Sequence, residues 1–412
     1  MTNQGSLNKS PIFTKSFTIN FFVNFIVYLC MYLLLVVIAG YSKQAFDASD
    51  SLAGLVVGLF IVGSLIGRFA TGKFVNQIGP KRLLFIGLIA LIITQLLYFI
   101  DGSLAFLIFV RLINGIATAV VTTATGTIAA YVTPVNRKSE GISLFSLSLV
   151  LGTAIGPFLG MLLITKYAID LLFIICVILG ILGVIISLFI KVDFEVTNSK
   201  TETNVIDKPR FSIHQFIAKE AIPVAVIMLL IGVTYASILT YLQAFAIERH
   251  LVTAASYFFI CYAIASLITR PIAGRLMDDK NENIIVYPAF IMLFLSFVCL
   301  ISSYQSWLIL LAGACLGLGY GNLSSAMQSI AIKVSPPIKY GIATSTFYVG
   351  LDAGVGFGPS FLGLFTHMFS YSEIFGFMAA LAIITMLVYF LIHGRHVTRN
   401  EKCHELNIYI QK

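Results

Sequence analysis

The sequence predicts an all-α membrane protein: twelve transmembrane helices arranged as two six-helix repeats. Three observations carry this. The chain is 58% hydrophobic and only 11% charged, against about 45–50% and about 25% in soluble domains. Apolar stretches of about 20 residues, each enough to cross a ~30 Å hydrocarbon core as a helix, recur twelve times along it. The second half then repeats special residues of the first at a constant shift of 202 positions.

The stretches run 17–41, 52–71, 83–100, 104–132, 141–165 and 171–191 in the first half, and 221–247, 254–276, 284–303, 307–333, 341–366 and 374–393 in the second. The first exceeds a signal-peptide core and lacks a small-residue cleavage pattern, so it is read as a transmembrane helix. Residues 1–191 then form an N-terminal six-helix bundle and 221–393 a C-terminal one. Between them, 192–220 is the longest polar segment and reads as a cytoplasmic linker; 394–412 reads as a cytoplasmic tail. With both termini inside, 22 of the 26 basic residues lie on the cytoplasmic side or at its helix ends. Lys43, Lys166 and Arg249 lie outside, and Arg111 alone sits in a helix interior. This asymmetry predicts a multi-pass protein of the cell membrane with both ends cytoplasmic.

The repeat is plainest where "IGRFATGKFVNQ" (66–77) aligns with "ITRPIAGRLMDD" (268–279): Arg68 meets Arg270, Gly72 meets Gly274 and Lys73 meets Arg275. The same shift pairs Gly115 with Gly317, Pro134 with Pro336, Gly152 with Gly354, Gly156 with Gly358 and Pro157 with Pro359. Gly67 to Phe74 also fits the G-x-x-x-x-G-K of a phosphate-binding loop. Phe74 offers no hydroxyl for Mg²⁺, however, and the stretch ends a transmembrane helix where that loop needs a strand before it. Gly72 is read instead as allowing a neighbouring helix close, and the flanking charges as marking the cytoplasmic boundary.

An intramembrane charge costs about 2.5–3.5 kcal/mol on insertion scales and is a functional candidate by default. Two stand out, Arg111, about 10 Å into helix four, and Asp352, near the middle of helix eleven. Gly350, Gly354 and Gly358 share one face of helix eleven, so Asp352 points away from whatever that face packs on. On helix five, Gly152 and Gly156 likewise form a small-residue face, and Pro157 removes a backbone N–H, so a hinge or sliding contact is expected there. Uncharged polar residues add a stripe of Asn20, Asn24, Tyr28 and Tyr32 along helix one. Helix four adds Thr118, Thr122 and Thr125, helix seven Tyr235, Thr240, Tyr241 and Gln243, and helix ten Asn322, Ser325, Gln328 and Ser329.

These residues resemble the major facilitator superfamily over nearly the whole chain. Its loop G-x-x-x-D-R-x-G-x-K/R-K/R is matched by Gly72 to Arg82, with Lys81 and Arg82 at the basic positions. Asn76 replaces the Asp and Gln77 the Arg; Asp278 restores the acid in the second copy. "RLING" (111–115) resembles the family's R-x-x-Q-G with Asn114 for Gln. "GTAIGPFLG" (152–160), echoed by "GVGFGPSFLG" (354–363) with its Pro359, resembles the signature of the twelve-helix drug:proton antiporter branch. The resemblance implies a central cavity between helices one, four, seven and ten. That makes Asn24, Tyr28, Tyr32, Asn114, Thr118, Thr122, Tyr235, Tyr241, Gln243, Asn322 and Gln328 cavity candidates, with Asp352 and Arg111 as proton-coupling candidates. Gly72, Asn76, Lys81, Arg82, Gly152, Gly156, Pro157, Gly274, Asp278, Gly354, Gly358 and Pro359 become conformational candidates.

The expected function is proton-coupled export of a small amphipathic or lipophilic compound by alternating access, a drug-efflux antiport. Alternatives are export of an endogenous metabolite such as a siderophore or metal chelator, uptake by proton symport, and a non-transporting receptor or scaffold. The chain holds no HExxH, paired CxxC or GxSxG stretch, so no enzyme activity, cofactor or metal site is expected. The expected partners are a small-molecule substrate, protons and the lipid bilayer; no nucleic-acid partner is expected, and the protein is expected to be a monomer.

Overall fold

A computed structural model describes residues 10–100, 102–164, 166–192, 216–366 and 368–397. Most of the expected linker and the tail beyond residue 397 lie outside these. The described residues form twelve long helices: α1 (Lys15–Phe46), α2 (Asp50–Ile78), α3 (Pro80–Leu96), α4 (Leu104–Val132), α5 (Lys138–Ile164), α6 (Ile169–Ser187), α7 (Ile222–Glu248), α8 (Val252–Asp279), α9 (Asn283–Ile301), α10 (Ser306–Lys333), α11 (Tyr340–Gly363) and α12 (Tyr371–Tyr389). Eleven are long and apolar enough to cross a membrane. The other, α11, is long enough at 24 residues, about 36 Å, but carries Thr344, Ser345, Thr346, Tyr348 and Asp352, polar residues that it turns into the bundle.

Local chemistry sets the helix ends. Thr14, Ser49 and Ser103 cap α1, α2 and α4, each hydroxyl accepting a first-turn backbone N–H, and Ser370 with Glu373 forms a capping box at α12. Gly79, at φ 89°, takes the left-handed turn from α2 into Pro80 at the start of α3. Two helices are irregular among the described residues: α10 passes through a π-turn at Gly317–Gly321, and α12 runs on into one at Phe390–Gly394.

The repeat in the sequence is a repeat in packing. In the first half α1 packs on α5 and α2 on α4; in the second, α7 packs on α11 and α8 on α10. The halves meet through α5 with α8 and α2 with α11, again equivalent pairs. Small residues permit the intimate contacts. A Cβ on Gly152 would lie 2.7 Å from Cβ of Tyr28, and one on Gly156 2.8 Å from Cβ of Tyr32. The partner of this glycine face is therefore α1 of the same half. Gly354 and Gly358 use the same face of α11 against Gly232 and Ala236 of α7.

Candidate functional site

Ser64 and Arg68 stand one turn apart on α2, hence on one face, and that face meets α11 of the other half. The Ser64 hydroxyl donates to Oδ2 of Asp352 at 2.5 Å, and Arg68 Nε donates to the same oxygen at 3.0 Å. Arg68 Nη1 donates to the Ala119 carbonyl (3.1 Å) and to the hydroxyls of Thr122 (2.6 Å) and Thr123 (2.8 Å) on α4. Its guanidinium lies 4.2 Å from the centre of the Tyr348 ring. Ser345 donates to the Arg68 carbonyl at 2.6 Å. Because the glycine face of α11 is taken by α7, Asp352 is aimed at α2, as its angular offset from those glycines requires. Both bonds fall on Oδ2; Oδ1 accepts none among the described residues, and the carboxylate remains 18% exposed beside a cavity.

Arg68 and Arg270, expected at the cytoplasmic boundary, are instead buried at 3% and 0% exposure. The reason is length: α2 continues to Ile78, which places Arg68 about 15 Å from the helix end. The two arginines occupy equivalent frames. Arg270 Nε donates to the carbonyl of Gly321 (3.0 Å), Nη2 to Ser324 (3.0 Å) and Nη1 to Ser146 (2.8 Å). Gly321 and Ser324 are the repeat counterparts of Ala119 and Thr122, and Ser146 is the counterpart of Tyr348. The counterpart of Asp352 is Val150, so Arg270 has the frame without the carboxylate.

The cavity beside Asp352 has a volume of about 780 Å³, counting its side open to solvent. Of the residues expected to line it, Tyr28, Tyr32, Thr118, Thr122 and Tyr235 do so. Phe60, Ile61, Ser64 and Arg68 of α2, and Leu351, Asp352, Val355 and Gly356 of α11, complete its wall; assigning the lining to helices one, four, seven and ten alone missed them. The π-turn in α10 brings in Tyr320, whose ring stacks on Tyr235 at 3.9 Å.

The remaining candidates sit elsewhere. Asn24 bonds Ser148 and Thr125 inside the first bundle, and Asn114 donates to Thr94 of α3. Tyr241 donates to the carbonyl of Pro359, Asn322 to Thr269 and the Leu318 carbonyl, and Gln328 to Tyr348. Gln243 borders a separate groove. Arg111 is buried between α2, α3 and α4, donating to the Val56 carbonyl (3.3 Å) and Tyr98 (3.4 Å), with its guanidinium 4.5 Å from the centre of the Phe60 ring. It borders the cavity only through Phe60, and its contacts do not include Asp352.

A family model for the Major Facilitator Superfamily matches residues 21–303 and 252–405. The chain belongs to the major facilitator superfamily. An uncharacterized MFS-type transporter of Methanocaldococcus jannaschii is 27% identical over 84% of this chain and 90% of its own. The staphylopine export protein of Staphylococcus aureus is 21% identical over 84% and 88%, and the multi-drug resistance efflux pump PmrA of Streptococcus pneumoniae 25% identical over 76% and 80%. Among solved structures, the human organic anion transporter MFSD10 superposes with a TM-score of 0.77 over 91% of this chain and 98% of its own, at 14% identity. That likeness shows the fold.

The superfamily's loop motif lies where the halves meet, near the start of α1, on what may be named the terminal face. Asp278 of the second copy accepts the backbone N–H groups of Ser139 (3.0 Å) and Glu140 (2.8 Å) at the start of α5, and pairs with Lys333 at 3.1 Å. Glu140 bridges Arg275 (2.6 Å) and Arg137 (2.7 Å), and Gly274 lets α8 touch the backbone of Glu140. The first copy is apolar by comparison: Val75 packs on Gly341, Gly72 lies against Ser345, and the buried Asn76 side-chain oxygen has no partner among the described residues. Lys81 donates to the Leu188 carbonyl and Arg82 is exposed. Pro157 and Pro359 lie inside α5 and α11. This superfamily member is an integral, multi-pass membrane protein.

Proposed function

We propose that the chain is a proton-coupled secondary exporter that moves a small amphipathic or lipophilic organic molecule through the cavity by alternating access, with both termini and the terminal face cytoplasmic. The single observation behind this reading is the ion pair between Arg68 and Asp352. It is the one carboxylate–guanidinium contact deep in the bundle among the described residues, it crosses between the halves, and it borders the cavity. Opening the terminal face parts α2 from α11 and therefore breaks it. A carboxylate separated from its cation in the membrane interior is costly, so protonation of Asp352 and opening favour each other. The open Oδ1 is the atom at which a proton or a hydrogen-bond donor of the substrate reaches Asp352, so the two compete.

The aromatic and hydroxyl lining of Tyr28, Tyr32, Phe60, Tyr235 and Tyr320 suits a largely apolar molecule with a few polar groups. A second reading, export of an endogenous metabolite, is supported by similarity to the staphylopine export protein over most of both chains. The test is Asp352→Asn in proteoliposomes, with a panel of dyes, biocides and chelates and an imposed pH gradient. The variant keeps shape but cannot titrate, so gradient-driven transport is expected to fall to the gradient-independent rate while binding persists. Transport that still follows the gradient assigns the coupling to another group.

A further inference from the structure

A second cavity lies between the outer ends of α7 and α8, about 660 Å³ counting its open side. Leu239 borders both this groove and the central cavity, so one side chain stands between the two. Leu242, Ala246, Ala255 and Phe259 supply its apolar wall, and no ionisable side chain lines it. From Leu239 to Ala246 the groove follows α7 for about 10 Å.

The first half is closed at three of the equivalent positions. Leu239 is 43% exposed, whereas its repeat counterpart Val37 is 5% exposed, and the counterpart of Ala255, Ala53, is 2% exposed. At the position equivalent to Gln243 stands Tyr41, which packs edge-on against Phe46 (5.8 Å) and Phe173 (6.0 Å).

We propose that the α7–α8 groove is a subsite for an uncharged apolar arm of the transported molecule, whose polar end lies at Asp352. The proposal rests on the transport reading above and adds to it the shape of the substrate: an amphiphile with a chain or ring system extending past Leu239. Adjacency to the cavity across the single side chain of Leu239 argues for the substrate itself as occupant, and absence of charge in the groove fixes the class of the arm. A buried methylene contributes about 0.8 kcal/mol, or about fourfold in affinity. Affinity is therefore expected to rise with chain length until the groove is filled.

The experiment uses two probe series, n-alkyl sulfonates and n-alkylpyridinium salts from butyl to dodecyl, so that the charge of the polar end is varied separately from the arm. Probe-induced proton flux is read in proteoliposomes with a trapped pH dye. Binding is read without transport in the Trp307→Phe, Val252→Trp variant, from fluorescence quenching by ω-bromoalkyl members of both series. The expected result is about fourfold tighter binding per added methylene up to a plateau. Ala255→Phe or Ser256→Phe is expected to shrink the octyl-to-butyl affinity ratio at least tenfold. Saturable, length-dependent quenching without proton flux keeps the subsite and rejects proton coupling. Proton flux with no length dependence, or an equal loss for all lengths in both filled variants, rejects the subsite and keeps the coupling. Quenching by brominated phospholipid that the probes do not displace makes the occupant a lipid chain and overturns the proposal, as does absence of quenching by either series.

Discussion

Arg68 is held by five groups and Asp352 by two, and this difference decides what each can do. With Ala119, Thr122 and Thr123 of α4 accepting from it, the guanidinium keeps partners in the first half, so in the proposed opening Asp352 is the member that leaves. Removing one partner of a buried pair typically costs about 3–5 kcal/mol, because the other charge is left uncompensated. Arg68→Gln is therefore expected to destabilise the detergent-purified protein by about that much. The double variant Arg68→Gln, Asp352→Asn is expected to recover part of the loss in thermal unfolding. Strictly additive losses would show that the two side chains are not energetically coupled. The placement of Asp352 is legible in the sequence, since a lone acid in an apolar helix, offset from a glycine face, has few places to point. That of Arg68 is not. It lies five residues before Lys73 in a run that reads as a helix end, and its partner is 284 residues away. The available signal was its alignment with Arg270, each inside a helix that continues past it.

Helix packing links glycines to the cavity wall. Gly152 and Gly156 touch Tyr28 and Tyr32, which are themselves cavity residues, so the α1–α5 contact sets how far those rings enter the cavity. Gly156→Leu forces α1 outward at a backbone contact, an overpacking that costs about 1–3 kcal/mol or more. Transport is expected to be lost while membrane insertion persists. Normal transport by an inserted variant would show that the position of α1 is not critical. The glycine face was readable from its four-residue spacing. Its partner was not, because spacing gives a face but no neighbour. The π-turn of α10 was likewise hidden: "GLGYG" signals flexibility, whereas the carbonyl it presents to Arg270 depends on α8.

Across the whole molecule, the two halves are tied on the terminal face by unequal means. The α8–α5 side is ionic, with Asp278 accepting two N–H groups at a helix start, where a negative charge contributes about 0.3–1 kcal/mol and up to ~2 when partly buried. Asp278→Asn is expected to shift the population towards the form open on that face by about 2–30-fold. Distances between spin labels placed on α5 and α8 near that face check this; an unchanged distribution would mean that Asp278 does not hold the halves together. The orientation is checked separately. With the terminal face cytoplasmic, Arg82→Cys should resist a membrane-impermeant thiol reagent in intact cells and react after permeabilisation. Labelling in intact cells reverses the assignment. The two-bundle architecture was plain in the 202-residue shift, but the inequality of its two seams appears only when Asp278 is seen accepting N–H groups at the start of α5 while the Asn76 oxygen has no partner among the described residues.

On the proposed coupling, the valine at position 150 limits how steeply the buried arginine frames respond to acidity. With two guanidinium frames but one carboxylate, the frames offer one proton site, and a one-proton linkage changes the conformational ratio by no more than tenfold per pH unit. Val150→Asp places an acid opposite Arg270 and gives the second frame its own titrating group. The conformational ratio is then free to vary by up to a hundredfold per unit, which turns a graded response into a threshold.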